Sequence, residues 1–201
     1  MECRTHIVVA NTLSILLTRP DSIGGLVTCI GITTLASTIS DIDVSEKKDK
    51  TYVLGFTIVS IISLLLLSFL ELKYNIGIRN YINDNSSYLR LIVCFILGII
   101  TCYIGYLKPH RSFLHSFLGI GILTLLCYIS LGGLVKYFII GIVSHIILDL
   151  FNKKGLYLFY PLKNKYSLKL CVYNGKVNNI LFIIFSILLI ILVIYVIIFV
   201  E

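Results

Sequence analysis

The run Gly141-Ile142-Val143-Ser144-His145-Ile146-Ile147-Leu148-Asp149 decides the fold class of this chain. It closes an apolar stretch over residues 133–150, close to the roughly 20 residues that cross the hydrocarbon core of a bilayer. Within it, His145 and Asp149 stand four positions apart and point the same way on a helix of 3.6 residues per turn. With the helix ending near Phe151, His145 lies about 9 Å along the axis from that end at a rise of 1.5 Å per residue. Ionisable groups at such depth are costly and mark function by default. Taken alone, the H-x-x-x-D spacing is a weak signal, because a hydrogen-bonded pair linking two helices produces it as well.

The same pattern recurs outward from this run. Apolar segments cover residues 6–18, 22–39, 51–70, 88–107, 112–131, 133–150 and 179–200. In a chain that is 58% hydrophobic and 13% charged, they predict an all-α integral membrane protein, a bundle of about seven transmembrane helices. The first two are short and are interrupted by Asn11, Thr12, Ser14, Gly24 and Gly25. They read as short spans or as a re-entrant hairpin buried among the others, and either form returns the chain to the same face. By parity alone, His6 at the start of the first run lies on one side of the membrane. Asp41 and Asp43 after the second, His110 and His115 at the fifth, and His145 and Asp149 at the end of the sixth lie on that side too.

Orientation follows from lysine and arginine. Of the 17 basic residues, the histidine face holds Arg4, Lys47, Lys48, Lys50, Lys108, Arg111, Lys153, Lys154, Lys163, Lys165, Lys169 and Lys176. The other face holds Arg19, Lys73, Arg79, Arg90 and Lys136. The histidine face and the N-terminus are therefore expected in the cytoplasm of a bacterial inner (plasma) membrane protein. The net charge of +7 then sits beside anionic headgroups and calls for no nucleic acid. Met1–Arg4 has little basic character and no small-residue cleavage pattern follows, so a cleaved signal peptide is not expected. Residues 1–201 read as a single transmembrane domain, of undetermined oligomeric state. Loop 152–178 mixes lysines with Tyr157, Phe159, Tyr160, Tyr166 and Tyr173 and is expected at the cytoplasmic headgroup layer. The six cysteines form no C-x-x-C pair and read as reduced, packed side chains.

Asp41 and Asp43 follow the C-terminal end of an apolar run, where the helix dipole disfavours carboxylates, so a cation should compensate. That cation is a neighbouring lysine or a divalent metal. In Lys108-Pro109-His110-Arg111-Ser112-Phe113-Leu114-His115-Ser116, Pro109 ends one helix and Ser112 reads as the N-cap of the next, placing His115 in its first turn. Arg111 adds a planar fork suited to phosphate or carboxylate.

In this order the motifs resemble the YdjM-like family, LexA-regulated inner-membrane proteins described as metal-dependent hydrolases. The matching pieces are Thr5-His6, Ser40-Asp41-Ile42-Asp43, His110-Arg111-Ser112-Phe113-Leu114-His115-Ser116 and the run 141–149, with Lys154-Gly155 and Phe159-Tyr160-Pro161 downstream. One departure is Ser40, where the family often has proline. The resemblance implies a metal-dependent hydrolase and names no substrate.

His6, Asp41, His110, His115, His145 and Asp149 form the expected ligand pool for one or two divalent transition metal ions. Nitrogen and carboxylate donors suit zinc, with manganese or iron as alternatives. Asp43 is expected to orient a ligand or act as general base, and Arg111 to hold the substrate anion. The expected reaction is hydrolysis of a phosphoester in an anionic membrane lipid at the inner leaflet. Amide hydrolysis, as in ceramidases, is the enzymatic alternative, and a noncatalytic metal-binding or metal-transporting protein is the other class.

Overall fold

A computed structural model describes residues 2–43, 58, 88–172 and 175–199, without the side chains of Asp43, Tyr88 and Leu89. Apart from Ile58, the expected span over 51–70 lies outside the described residues, as do the connector 71–87 and Lys47, Lys48 and Lys50. Helices α1 (Cys3–Thr18), α2 (Ile23–Ile39), α3 (Tyr88–Tyr106), α4 (Phe117–Leu131), α5 (Val135–Leu150) and α6 (Lys176–Phe199) carry the described fold, with no strand beyond two isolated bridges. Among the described residues, three helical stretches, Ile23–Ile42, Phe117–Leu150 and Lys176–Phe199, are long and apolar enough to cross a membrane. The second is broken at Gly132, whose φ of 55° is open to glycine and strained for other residues, so α5 folds back against α4.

The α1–α2 hairpin is the interior of the bundle. α1 packs on α2, α5 and α6, and α2 packs on α5, while α3 lies against α4. At about 24–26 Å for 16 and 17 residues, α1 and α2 are shorter than the roughly 30 Å hydrocarbon core. Their polar residues turn inward and bond across the helix interface. Asn11 donates to Thr34 Oγ1 at 2.9 Å, and Thr33 donates to Ser14 Oγ at 2.8 Å. Small side chains permit that approach, as expected where packing rather than water exclusion joins helices. At Gly141 on α5, a β-carbon would stand 2.7 Å from both Ala36 Cβ and the Thr33 carbonyl oxygen on α2. The outer faces of α3 and α6 are nearly all isoleucine, leucine and aromatic, far more apolar surface than a soluble monomer exposes.

One local expectation is corrected. Ser116, not Ser112, caps α4, accepting from Gly119 N at 3.2 Å. Ser112 instead precedes a short 3-10 turn, Phe113–His115, so His115 stands just before the helix and not in its first turn. The segment after α5 is tied down over this end of the bundle. Leu156 is fully buried and exchanges two 2.9 Å backbone bonds with Tyr166, while Leu158 O accepts from Phe117 N.

Candidate metal centre

Five side chains of the expected pool meet at one end of the bundle. His6 comes from the start of α1, and Asp41 from a 3-10 turn, Ser40–Asp43, that follows α2. His115 comes from the turn before α4, and His145 and Asp149 from the last turns of α5. Ser40 Oγ donates to the Leu114 carbonyl at 3.3 Å and so ties the aspartate turn to the histidine turn. Every one of the five is buried, three of them completely.

His145 is oriented by a main-chain group. Its Nδ1 lies 2.7 Å from the Ser37 carbonyl oxygen, which only accepts, so Nδ1 carries the proton and Nε2 presents a lone pair inward. A backbone carbonyl fixing the outer nitrogen is the usual support of a metal-ligating imidazole. That Nε2 stands 3.3 Å from His115 Nε2 and 3.5 Å from Asp41 Oδ1. His115 Nε2 is in turn 3.6 Å from Asp41 Oδ1 and 3.7 Å from Asp149 Oδ2. Donors roughly 2.0–2.2 Å from a tetrahedral ion lie about 3.3–3.6 Å from one another, so this spacing fits a metal centre. Asp41, His115, His145 and Asp149 together could hold a metal ion, with one ligand atom from each all within 4.8 Å of the others.

The charge balance agrees. Asp149 pairs through Oδ2 with Arg111 Nη2 at 3.0 Å, whereas among the described residues the ion-pair partners of Asp41 are the two imidazoles alone. A carboxylate buried beside neutral imidazoles is costly without a nearby cation, and a divalent ion supplies one.

The remaining candidates sit at different distances from the group of four. The His6 ring stacks on His145 with centroids 4.1 Å apart, and its Nε2 is 3.4 Å from Asp149 Oδ1. The alignment makes no hydrogen bond there, and His6 Nδ1 also has no partner among the described residues. Nδ1, a ring nitrogen with no partner in a fully buried side chain, marks a place where something polar is due. His110 stays outside the four, half-buried, with its ring edge-on to His115 at 5.5 Å. Asp43 shares the turn of Asp41, but its side chain lies outside the described residues. Arg111, at φ 67°, is buried and points at Asp149, with Nη1 donating to the Lys154 carbonyl at 2.5 Å. Two groups escaped the reading of the sequence, the Ser37 and Lys154 carbonyls. Both are main-chain atoms, and no residue type signals them.

The family model for the YdjM inner membrane protein matches residues 1–201, and the chain belongs to that family. No curated protein and no solved structure matches the chain.

Proposed function

We propose that this member of the YdjM inner membrane family is a metal-dependent hydrolase embedded in the membrane, acting at the cytoplasmic leaflet on a phosphoester of an anionic lipid. The observation that carries the reading is the convergence of His115 Nε2, His145 Nε2 and Asp41 Oδ1 within 3.3–3.6 Å in a buried site. Asp41, His115, His145 and Asp149 would hold one divalent transition metal, zinc first by donor chemistry. Such an ion supplies Lewis acidity, polarising a phosphoryl oxygen and making water acidic enough to attack at neutral pH. The chain's own residues do the rest. Ser37 O orients His145, Arg111 holds Asp149, and His6, with Nε2 beside Asp149 Oδ1, offers its unpartnered Nδ1 to a further ligand or to a second ion. Arg111 Nε is also buried without a hydrogen-bond partner, which leaves the guanidinium one donor for a substrate oxygen. Asp43 remains the proposed orienting or basic group on its turn.

The bundle of about seven spans and the cytoplasmic placement of the site are part of the same proposal, supported by the excess of basic residues at the site end. Purified protein should contain close to one transition metal ion per chain and should release phosphate from an anionic lipid in total membrane extract, read by mass spectrometry. Metal without any product across phospholipids, isoprenoid phosphates and ceramides would replace catalysis with a structural site or transport. One observation favours the transport reading, the inward polar groups of α1 and α2 that continue from the site to Thr18. They bond to one another, Cys29 Sγ to Ser14 Oγ at 3.1 Å for example, which equally suits helix adhesion.

A further inference from the structure

α4 and α5 touch near the cluster yet leave an apolar groove of about 540 Å³ between them. Phe117, Gly121, Thr124 and Tyr128 of α4 face Val143 and Val135 of α5 across it. Its two ends differ in chemistry. Tyr128 and Val135 flank the turn at Gly132, far from the site. Phe117 and Val143 each stand two residues from a proposed ligand, His115 and His145. Between Phe117 and Tyr128 the groove extends about 16 Å along the helix at 1.5 Å per residue.

The end near the site lies beneath a cationic cap. The Phe117 ring meets that of Phe159 at 5.3 Å, and the segment from Asn152 to Cys171 that carries Phe159 also carries Lys153, Lys154, Lys163, Lys165 and Lys169. Tyr157 of that segment donates to the Arg111 carbonyl at 3.1 Å, so the cap is joined to the site as well as to the groove. A long apolar slot that opens under clustered lysines matches an amphiphile with one anionic head and a long hydrocarbon chain.

We propose that the groove between α4 and α5 seats the hydrocarbon chain of an anionic lipid whose head lies under the lysine-bearing segment at the metal centre. The fate of that lipid rests on the hydrolase reading; its seating does not.

Gly121 provides the test. Among the described residues a β-carbon there meets nothing within 4 Å, so the side chain of Gly121→Phe starts into open space on the groove. Among the described residues Gly98 on α3 also faces open space, and Gly98→Phe adds the same ring elsewhere on the apolar surface. The full chain is reconstituted in nanodiscs holding a trace of phosphatidic acid with a diazirine at the end of one acyl chain, irradiated, and mapped by mass spectrometry. Adducts should concentrate on Thr124 and Tyr128. Gly121→Phe should cut them about tenfold or more while Gly98→Phe leaves them, the loss expected when a pocket is blocked. The matching phosphatidylcholine probe should label these positions several-fold less. Equal labelling of α3 and α6, or labelling indifferent to Gly121→Phe, would mean ordinary boundary lipid and overturn the proposal. Poor folding or altered oligomeric state in Gly121→Phe but not Gly98→Phe would assign the groove to residues 51–70 or to a second copy, and overturn it too. Groove labelling with no turnover of any lipid would keep this proposal and remove the hydrolase reading.

Discussion

His145 is gripped on one side by the Ser37 carbonyl and presents its other nitrogen to His115 and Asp41. His145→Ala removes a donor of the group of four, so metal affinity should fall by more than about 100-fold, beyond the effect of losing a supporting contact, and little metal should survive purification. Ser37→Ala keeps the carbonyl and should leave metal content unchanged; loss there would show that the serine hydroxyl, not the backbone, supports the site. Arg111 is a different case. Read from sequence alone it is a clamp for substrate, but Nη2 and Nη1 are engaged with Asp149 and the Lys154 carbonyl. Arg111→Lys keeps a charge and loses the fork, so Asp149 is held less firmly. Metal affinity should drop about 10- to 100-fold, the range seen when a group that orients a ligand is lost. Unchanged affinity with slowed turnover would return Arg111 to the role of substrate clamp.

At the level of helices, the close approach of α2 and α5 sets where Asp41 and His145 meet. Gly141→Val would drive new methyls into Ala36 and the Thr33 carbonyl, where a β-carbon already has only 2.7 Å. Because backbone cannot move aside as a flexible side chain does, the cost should reach about 3 kcal/mol or more, seen as a lower unfolding temperature in detergent. Gly133→Val, at a glycine whose β-carbon would meet nothing within 4 Å among the described residues, should cost far less. Much of the site was legible at this scale. The spacing of His145 and Asp149, and the return of the chain to one end after each pair of apolar runs, are enough to bring His6, Asp41, His115, His145 and Asp149 together. The cap of α4 was not legible, since Ser112 and Ser116 both follow a helix-ending proline and the choice depends on the 3-10 turn between them. Nor was the partner of Arg111, because Lys154 lies 43 positions away on a segment whose course is set by burying Leu156 and Leu158.

For the whole molecule the open question is which way the bundle faces. Loops rich in lysine and arginine stay in the cytoplasm because moving them across the membrane is opposed. Lys108, Lys153, Lys154, Lys163, Lys165, Lys169 and Lys176 all belong to the end that carries the cluster, whereas the turn between α4 and α5 is followed by Lys136 alone. The cluster should therefore face the cytoplasm. Two single-cysteine variants, in a background with the six native cysteines replaced, decide the matter. Gly133→Cys lies in the far turn with open space around it among the described residues, and Lys165→Cys lies on an exposed stretch of the capping segment. A membrane-impermeant maleimide added to intact cells should modify Gly133→Cys and leave Lys165→Cys unreacted until the membrane is permeabilised. The opposite pattern would put the cluster and its lysine cap outside, where they would meet the outer leaflet. Labelling of both from outside would mean that α4 and α5 do not carry the chain between two faces at all.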